Sequence, residues 1–215
     1  MGRNTEKDAV EMASKNRRIL ENGFRIFAEN SIDSVKMTDI SDAAGIAISS
    51  LYRYYSTKPK LVMAISTWVW DRYTNSQRLD ASKESERTAA EEFNFYLEAF
   101  LDLYRNHKDI LRFNQFFNIY IQTVNIPEEE KKPFTDVVHA LEARFAKMYQ
   151  KGVRDGTLNT EMPEKKMFST TLHLMLAAVT RYAVGLAFVE GTDADEELKM
   201  QKELLLKRFC AKNSI

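Results

Sequence analysis

The 215-residue sequence holds one cysteine, Cys210, together with four prolines, seven glycines and three histidines. A lone cysteine excludes an intramolecular disulfide and fits a reducing, cytoplasmic setting. So few prolines and glycines argue against an antiparallel β architecture, whose many turns demand both residues. The histidines His107, His139 and His173 fall on three different predicted helices, and none has metal-pair spacing. No phosphate-binding glycine loop, dinucleotide fingerprint or HExxH pattern occurs, so neither enzyme activity nor a metal or cofactor is expected. Charge of one sign is lacking too, with 31 Lys and Arg against 31 Asp and Glu. The first 60 residues carry ten basic against eight acidic side chains, too small an excess to suggest nucleic acid by itself. Met1 to Ser14 is charged and lacks the apolar centre of a signal peptide. The most apolar stretch, Leu172 to Val189, approaches the length of a membrane span. His173 and Arg181 interrupt it, so it is expected to be a buried helix with no membrane role.

What is present is long amphipathic runs, with 44% hydrophobic and 29% charged residues. Their spacing predicts an all-α fold of about nine helices. After a charged tail over 1–13, helices are expected at about 14–29, 37–44, 48–55 and 58–77. Further helices are expected at 88–106, 108–123, 133–154, 164–189 and 195–212, separated by polar breaks at 78–87, 124–127, 155–163 and 190–195. Thr57 is placed to cap the fourth helix, with Pro59 in its tolerant first turn. No internal repeat or flexible linker is visible.

Residues 37–56, MTDISDAAGIAISSLYRYYS, have the pattern of a helix-turn-helix. Ile40, Ala43 and Ala44 would form the inner face of the first short helix. Gly45 falls where a positive φ is expected at a helix end. Ile46, Leu51 and Tyr55 would anchor the second helix inward. Ile48, Ser49, Ser50, Tyr52, Arg53 and Tyr54 remain near the outside, although Tyr52 suits groove and core equally. Small hydroxyls, phenols and an arginine suit a groove lined with phosphates and base edges.

From about Arg17 to Leu61 the sequence resembles the DNA-binding domain of TetR-family regulators. The matching residues are Arg18-Ile19-Leu20, Phe27-Ala28, Asp39-Ile40, Ala43-Ala44-Gly45, Leu51-Tyr52-Arg53-Tyr54-Tyr55, and Lys58 with Leu61. The resemblance implies a DNA-binding domain over 1–60 and a ligand-binding and dimerisation domain over 61–215. It implies that the helix from Ser49 to Tyr55 enters the major groove of double-stranded DNA. Ser50, Tyr54 and Lys58 would then meet phosphates, while Thr38, Ile48, Ser49, Tyr52 and Arg53 would lie closest to bases or sugar edges. Three positions depart from the family pattern. Lys36 stands where Thr or Ser is common and Ala47 where Ser is, and each removes a natural helix cap worth about 0.5–2 kcal/mol. Ser49 stands where Gly is frequent.

The segment 60–123 is dense in aromatic residues. Such stripes at helical spacing ordinarily form core, yet their density also suits a cavity for an apolar or aromatic ligand. The resemblance favours an effector pocket, with Trp68, Tyr96, Phe100, Phe113, Phe117 and Tyr120 as candidate lining. The helix at 164–189 has two apolar strips. One is Phe168, Leu172, Met175, Val179, Tyr182 and Leu186, spaced as at a helix-pairing seam; the other is Leu174, Ala177, Ala178 and Val184. The last helix adds Leu198, Leu205, Leu206 and Phe209. Two such helices from each subunit would make a homodimer whose interface includes Leu172, Met175, Val179, Tyr182, Leu205 and Phe209. Its two-fold symmetry would match a palindromic operator. The function expected is a repressor released from its operator by a small molecule. The alternative is an all-α ligand-binding or interaction module that no longer reads DNA.

Overall fold

The computed structural model describes residues 2–76, 86–186, 191 and 193–211. Nine α-helices and no β-strand occur among them. They are α1 (Gly2–Glu29), α2 (Met37–Ala43), α3 (Ile48–Tyr54), α4 (Lys58–Ser76) and α5 (Ala89–Asn106). Then follow α6 (Lys108–Thr123), α7 (Glu128–Asp155), α8 (Glu164–Ala183) and α9 (Ala194–Phe209).

Three helices differ most in extent from their expected bounds, and the last ends at Phe209. α1 begins at Gly2, so the charged tail extends the first helix, and it is exposed from Lys7 to Ala13. α7 begins five residues before Pro133, which it carries inside its second turn. α8 stops at Ala183 because Gly185 takes φ +77° and closes the helix. There Leu186 N–H reaches Arg181 O and Gly185 N–H reaches Tyr182 O, a Schellman closure. The expected break at 78–87 lies, except for Glu86 and Arg87, outside the described residues, as do 187–189 and 212.

Two compact units divide the chain: Met1–Arg72 with Arg112–Asp136, and Tyr73–Leu111 with Val137–Ile215. The first joins the expected DNA-binding segment to most of α4 and α6. α1 packs on α2, and α2 on α3. Ile19, Phe27, Ile40, Leu51, Leu61 and Ile65 are fully covered. Gly23 permits the close approach of α1 and α4, since a Cβ there would lie 2.6 Å from Ile65 Cδ1. An aromatic chain continues this core. Phe24 meets Trp68 and Phe113 edge-on at 6.4 and 5.6 Å, and Phe117 lies against Phe113 and Phe134 at 5.9 and 5.2 Å.

In the second unit α5, α8 and α9 pack on one another. Thr88 begins α5 with a capping box: Glu91 N–H donates to its hydroxyl, and Thr88 N–H donates to the Glu91 carboxylate. The neighbouring Glu92 is buried and paired with Lys151. α9 is tied to α5 by Lys202–Glu98 and by Arg105 Nε, which donates to Asp195 Oδ1 at 2.5 Å. Phe93, Tyr96, Phe145, Phe168 and Phe209 form this unit's aromatic cluster.

Candidate nucleic-acid interface

The turn between α2 and α3 is built by Gly45. Its φ is +63°, with Gly45 N–H bonded to Asp42 O and Ile46 N–H to Ser41 O. This Schellman closure reverses the chain within three residues and sets the crossing of the two short helices. α2 and its C-cap bury Met37, Ile40, Ser41 and Ala44. Ala43, expected inward, is exposed, because the spacing of the buried set places it on the opposite side. Ser41 replaces it, satisfying its hydroxyl on Thr38 O at 2.9 Å.

Lys36 and Ala47 do occupy the caps of α2 and α3, and neither gives a side-chain cap bond. At α2 the defect is halved: Lys36 N–H donates to Asp39 Oδ2 at 2.7 Å, so the carboxylate satisfies the N-cap amide. α4 begins as expected, with Lys60 N–H donating to the Thr57 hydroxyl at 3.3 Å.

α3 is anchored by Leu51, fully buried, and by Tyr55, whose hydroxyl donates to Asn16 Oδ1 at 2.7 Å. Burial pushes the Tyr55 phenol pKa up, so it stays a donor at neutral pH. On the other side Thr38, Ile48, Ser49, Tyr52 and Arg53 are exposed, and Ser50 is half-buried. Tyr52 falls on the solvent side of the two readings open to it, at 47% exposure.

Tyr54 and Lys58, the other two expected contact residues, are engaged within the chain. The Tyr54 hydroxyl donates to Met12 O at 3.2 Å. Lys58 Nζ donates to Val35 O at 2.6 Å and to Asp33 O at 3.2 Å, and sits 5.9 Å from the centre of the Tyr120 ring. Burial lowers its pKa from the ordinary lysine value, opposed by Asp33 and Asp39. Nothing in the sequence motif signals these partners, because they come from the turn 31–35, from α6 and from the extension of α1.

The expected pocket residues divide between the units. Trp68, Phe113, Phe117 and Tyr120 belong to the first, while Tyr96 and Phe100 belong to the second. Phe113 and Phe117 are fully buried, with rings packed edge-to-face or stacked on aromatic neighbours, and act as core there. Part of the expected seam is internal, while Leu172 is half-buried and Leu186 is exposed. Met175 and Val179 have no exposed surface, Leu205 and Phe209 are buried, and the Tyr182 hydroxyl donates to Glu197. Met167, Thr171, Met175 and Val179 repeat every fourth residue along the covered face of α8. The apolar side chains left outside on α8 and α9 are Leu174, Ala177, Met200 and Leu204.

Residues 19–65 match the family model of bacterial regulatory proteins of the tetR family. No curated protein sequence matches. Solved structures share the fold. A TetR family transcriptional regulator of Vibrio parahaemolyticus is 17% identical, covers 92% of this chain and 99% of its own, and has TM-score 0.67. A transcriptional regulator of Saccharomonospora viridis, solved with choline, is 14% identical over 91% of this chain and 97% of its own, with TM-score 0.73. The regulator FadR of Bacillus subtilis, solved with stearoyl-CoA, is 13% identical over 93% and 99%, with TM-score 0.70. Residues 19–65 thus form a helix-turn-helix unit similar to the DNA-binding domain of bacterial tetR-family regulatory proteins, and the chain as a whole shares the fold of regulators of that type. Among the described residues, no helix is long and apolar enough to cross a membrane.

Proposed function

We propose that this regulator is a homodimeric repressor that holds a palindromic operator and is released by a small apolar or aromatic effector. The observation that supports DNA reading best is the outer face of α3. Ile48, Ser49, Tyr52 and Arg53 are exposed on the second helix of the motif, where a major groove would receive them. Thr38 and Ser50 complete the contact set. A salt titration on random duplex tests the reading. Binding should weaken by orders of magnitude between low and moderate salt, and its absence would favour an interaction module.

The pairing surface in this reading is the strip Leu174, Ala177, Met200 and Leu204, which the chain itself leaves uncovered. Apolar side chains in such a strip gain by burial against a second copy. The effector site is placed in the second unit, beside Tyr96, Phe100, Phe145 and Phe168. Thr171, one turn from Phe168, supports this: it is 3% exposed and its hydroxyl has no partner among the described residues. An effector with a polar group would satisfy it.

Release requires that the effector bind one arrangement of the dimer better than another. α4 is the proposed lever, since it runs unbroken from Lys58 beside the reading head to Tyr73, whose hydroxyl donates to Ala99 O at 2.6 Å in the second unit. Coupling of about 1–3 kcal/mol would lower operator affinity roughly 5–150-fold. Linkage demands that operator weaken effector binding equally. Calorimetry with and without operator checks this, and equal affinities would remove the compound as an inducer.

A further inference from the structure

The cation expected to meet phosphate at the edge of the reading head has two of its three protons engaged within the chain. Lys58 Nζ donates two hydrogen bonds to the carbonyls of Val35 and Asp33, and the Tyr120 ring lies beside it. The shorter of these, 2.6 Å, is a charge-assisted bond of the strong kind. Moving that ammonium to a phosphate would strip two carbonyls of their donor. Directly after the carbonyl that Lys58 holds comes Lys36. Its backbone is fixed from both sides, by Lys58 through Val35 O and by Asp39 Oδ2 through its own N–H. Its side chain is exposed, and its ammonium has no ion pair among the described residues. In a helix-turn-helix the first helix crosses the phosphate backbone, and Lys36 leads directly into it, next to the exposed Thr38. A flexible ammonium on a fixed backbone is the kind of group that contacts a phosphate without reading a base.

We infer that Lys36, and not Lys58, neutralises a DNA phosphate in this protein, with Lys58 a positioning residue that holds the turn before it. The inference rests on the DNA-binding reading above and assigns one of its contacts. It also gives the departure at Lys36 a meaning: the helix cap lost there is replaced by a mobile positive charge.

The test is the salt dependence of binding by the full-length chain, on a selected operator and on random duplex. Each neutralised phosphate contributes about 0.9 to the slope of log affinity against log salt. Lys36→Ala should reduce that slope by about 0.9, weaken both duplexes by the same factor and keep native helicity. Lys36→Arg should retain the wild-type slope. Lys58→Met should lower the thermal midpoint and leave the slope unchanged; if it fails to fold, that loss supports its positioning role, and Lys36→Ala alone carries the phosphate assignment. An unchanged slope in a folded Lys36→Ala protein overturns the inference, as does loss of a slope unit in folded Lys58→Met. A wild-type chain that binds no duplex at any salt overturns the DNA-binding reading, and this assignment with it.

Discussion

The Tyr54 hydroxyl donates to the backbone carbonyl of Met12, a contact that spans 42 residues and ties the end of α3 to the N-terminal extension of α1. A phenol has one proton to give. While it is held by Met12, Tyr54 does not donate to a phosphate. Tyr54→Phe should therefore cost about 0.5–1.5 kcal/mol of stability and leave the affinity for DNA at fixed salt intact. Chemical denaturation and an equilibrium DNA titration check the two halves. Wild-type stability with weakened DNA binding would return Tyr54 to the phosphate.

Arg53 stands in the opposite situation, exposed on α3. Arg53→Ala should lose about 1–3 kcal/mol of operator affinity. Its melting curve should not move. Undiminished operator binding would remove Arg53 from the contact set.

The turn residue gives a cleaner stability test. A Cβ on Gly45 would find its nearest neighbour, Arg18 Nη1, at 3.8 Å, so space is not the obstacle. The cost of Gly45→Ala is conformational, from φ +63°, and should be about 1–2 kcal/mol. Unchanged stability would mean that the turn rearranges at little cost.

Burial separates two roles along α8. Val179→Glu places a charge in the interior of one chain and should cost helicity and solubility together. Leu174→Glu, at a position 54% exposed, should instead yield folded monomers. Light scattering with circular dichroism distinguishes these outcomes, and an intact dimer of Leu174→Glu would put the pairing surface elsewhere.

The second unit has an acid-sensitive tie. Arg105 and Lys199 donate to the Asp195 carboxylate at 2.5 and 2.6 Å and lower its pKa to about 2. An unfolded aspartate titrates near 3.9. The stabilisation is therefore present above about pH 4 and fades as pH falls towards the folded value. Asp195→Asn should flatten that part of the stability profile by no more than about 1 kcal/mol, since the pair is partly solvated. Urea midpoints from pH 5 down to 2 that show the same slope in both proteins would exclude this tie.

Helix existence was legible in the sequence because period and punctuation agreed. Gly45, Thr57 and Leu51 each do locally what their type suggests, and no distant partner is needed to see it. Sidedness was harder. Along α8, both Met175 and Leu174 are apolar, and only packing against α5 and α9 selects which strip is covered. The same holds for the aromatic residues: Phe113 is core because Phe24 reaches it from α1, a pairing 89 positions away in sequence. The commitment of Lys58 was hidden too, since its partners are backbone carbonyls and carry no residue signature.

The outer face of α3 bears on how such a protein changes. Ile48, Ser49, Tyr52 and Arg53 face solvent, whereas Leu51 and Tyr55 carry the helix's attachment to the rest of its unit. In the proposed reading, recognition and folding therefore fall to different residues of α3 and its C-cap. Surface substitutions away from caps and core usually shift stability by less than about 0.5 kcal/mol. The four outward positions can accordingly drift, or be rewritten by an engineer, to a new operator while the scaffold beneath them stays the same.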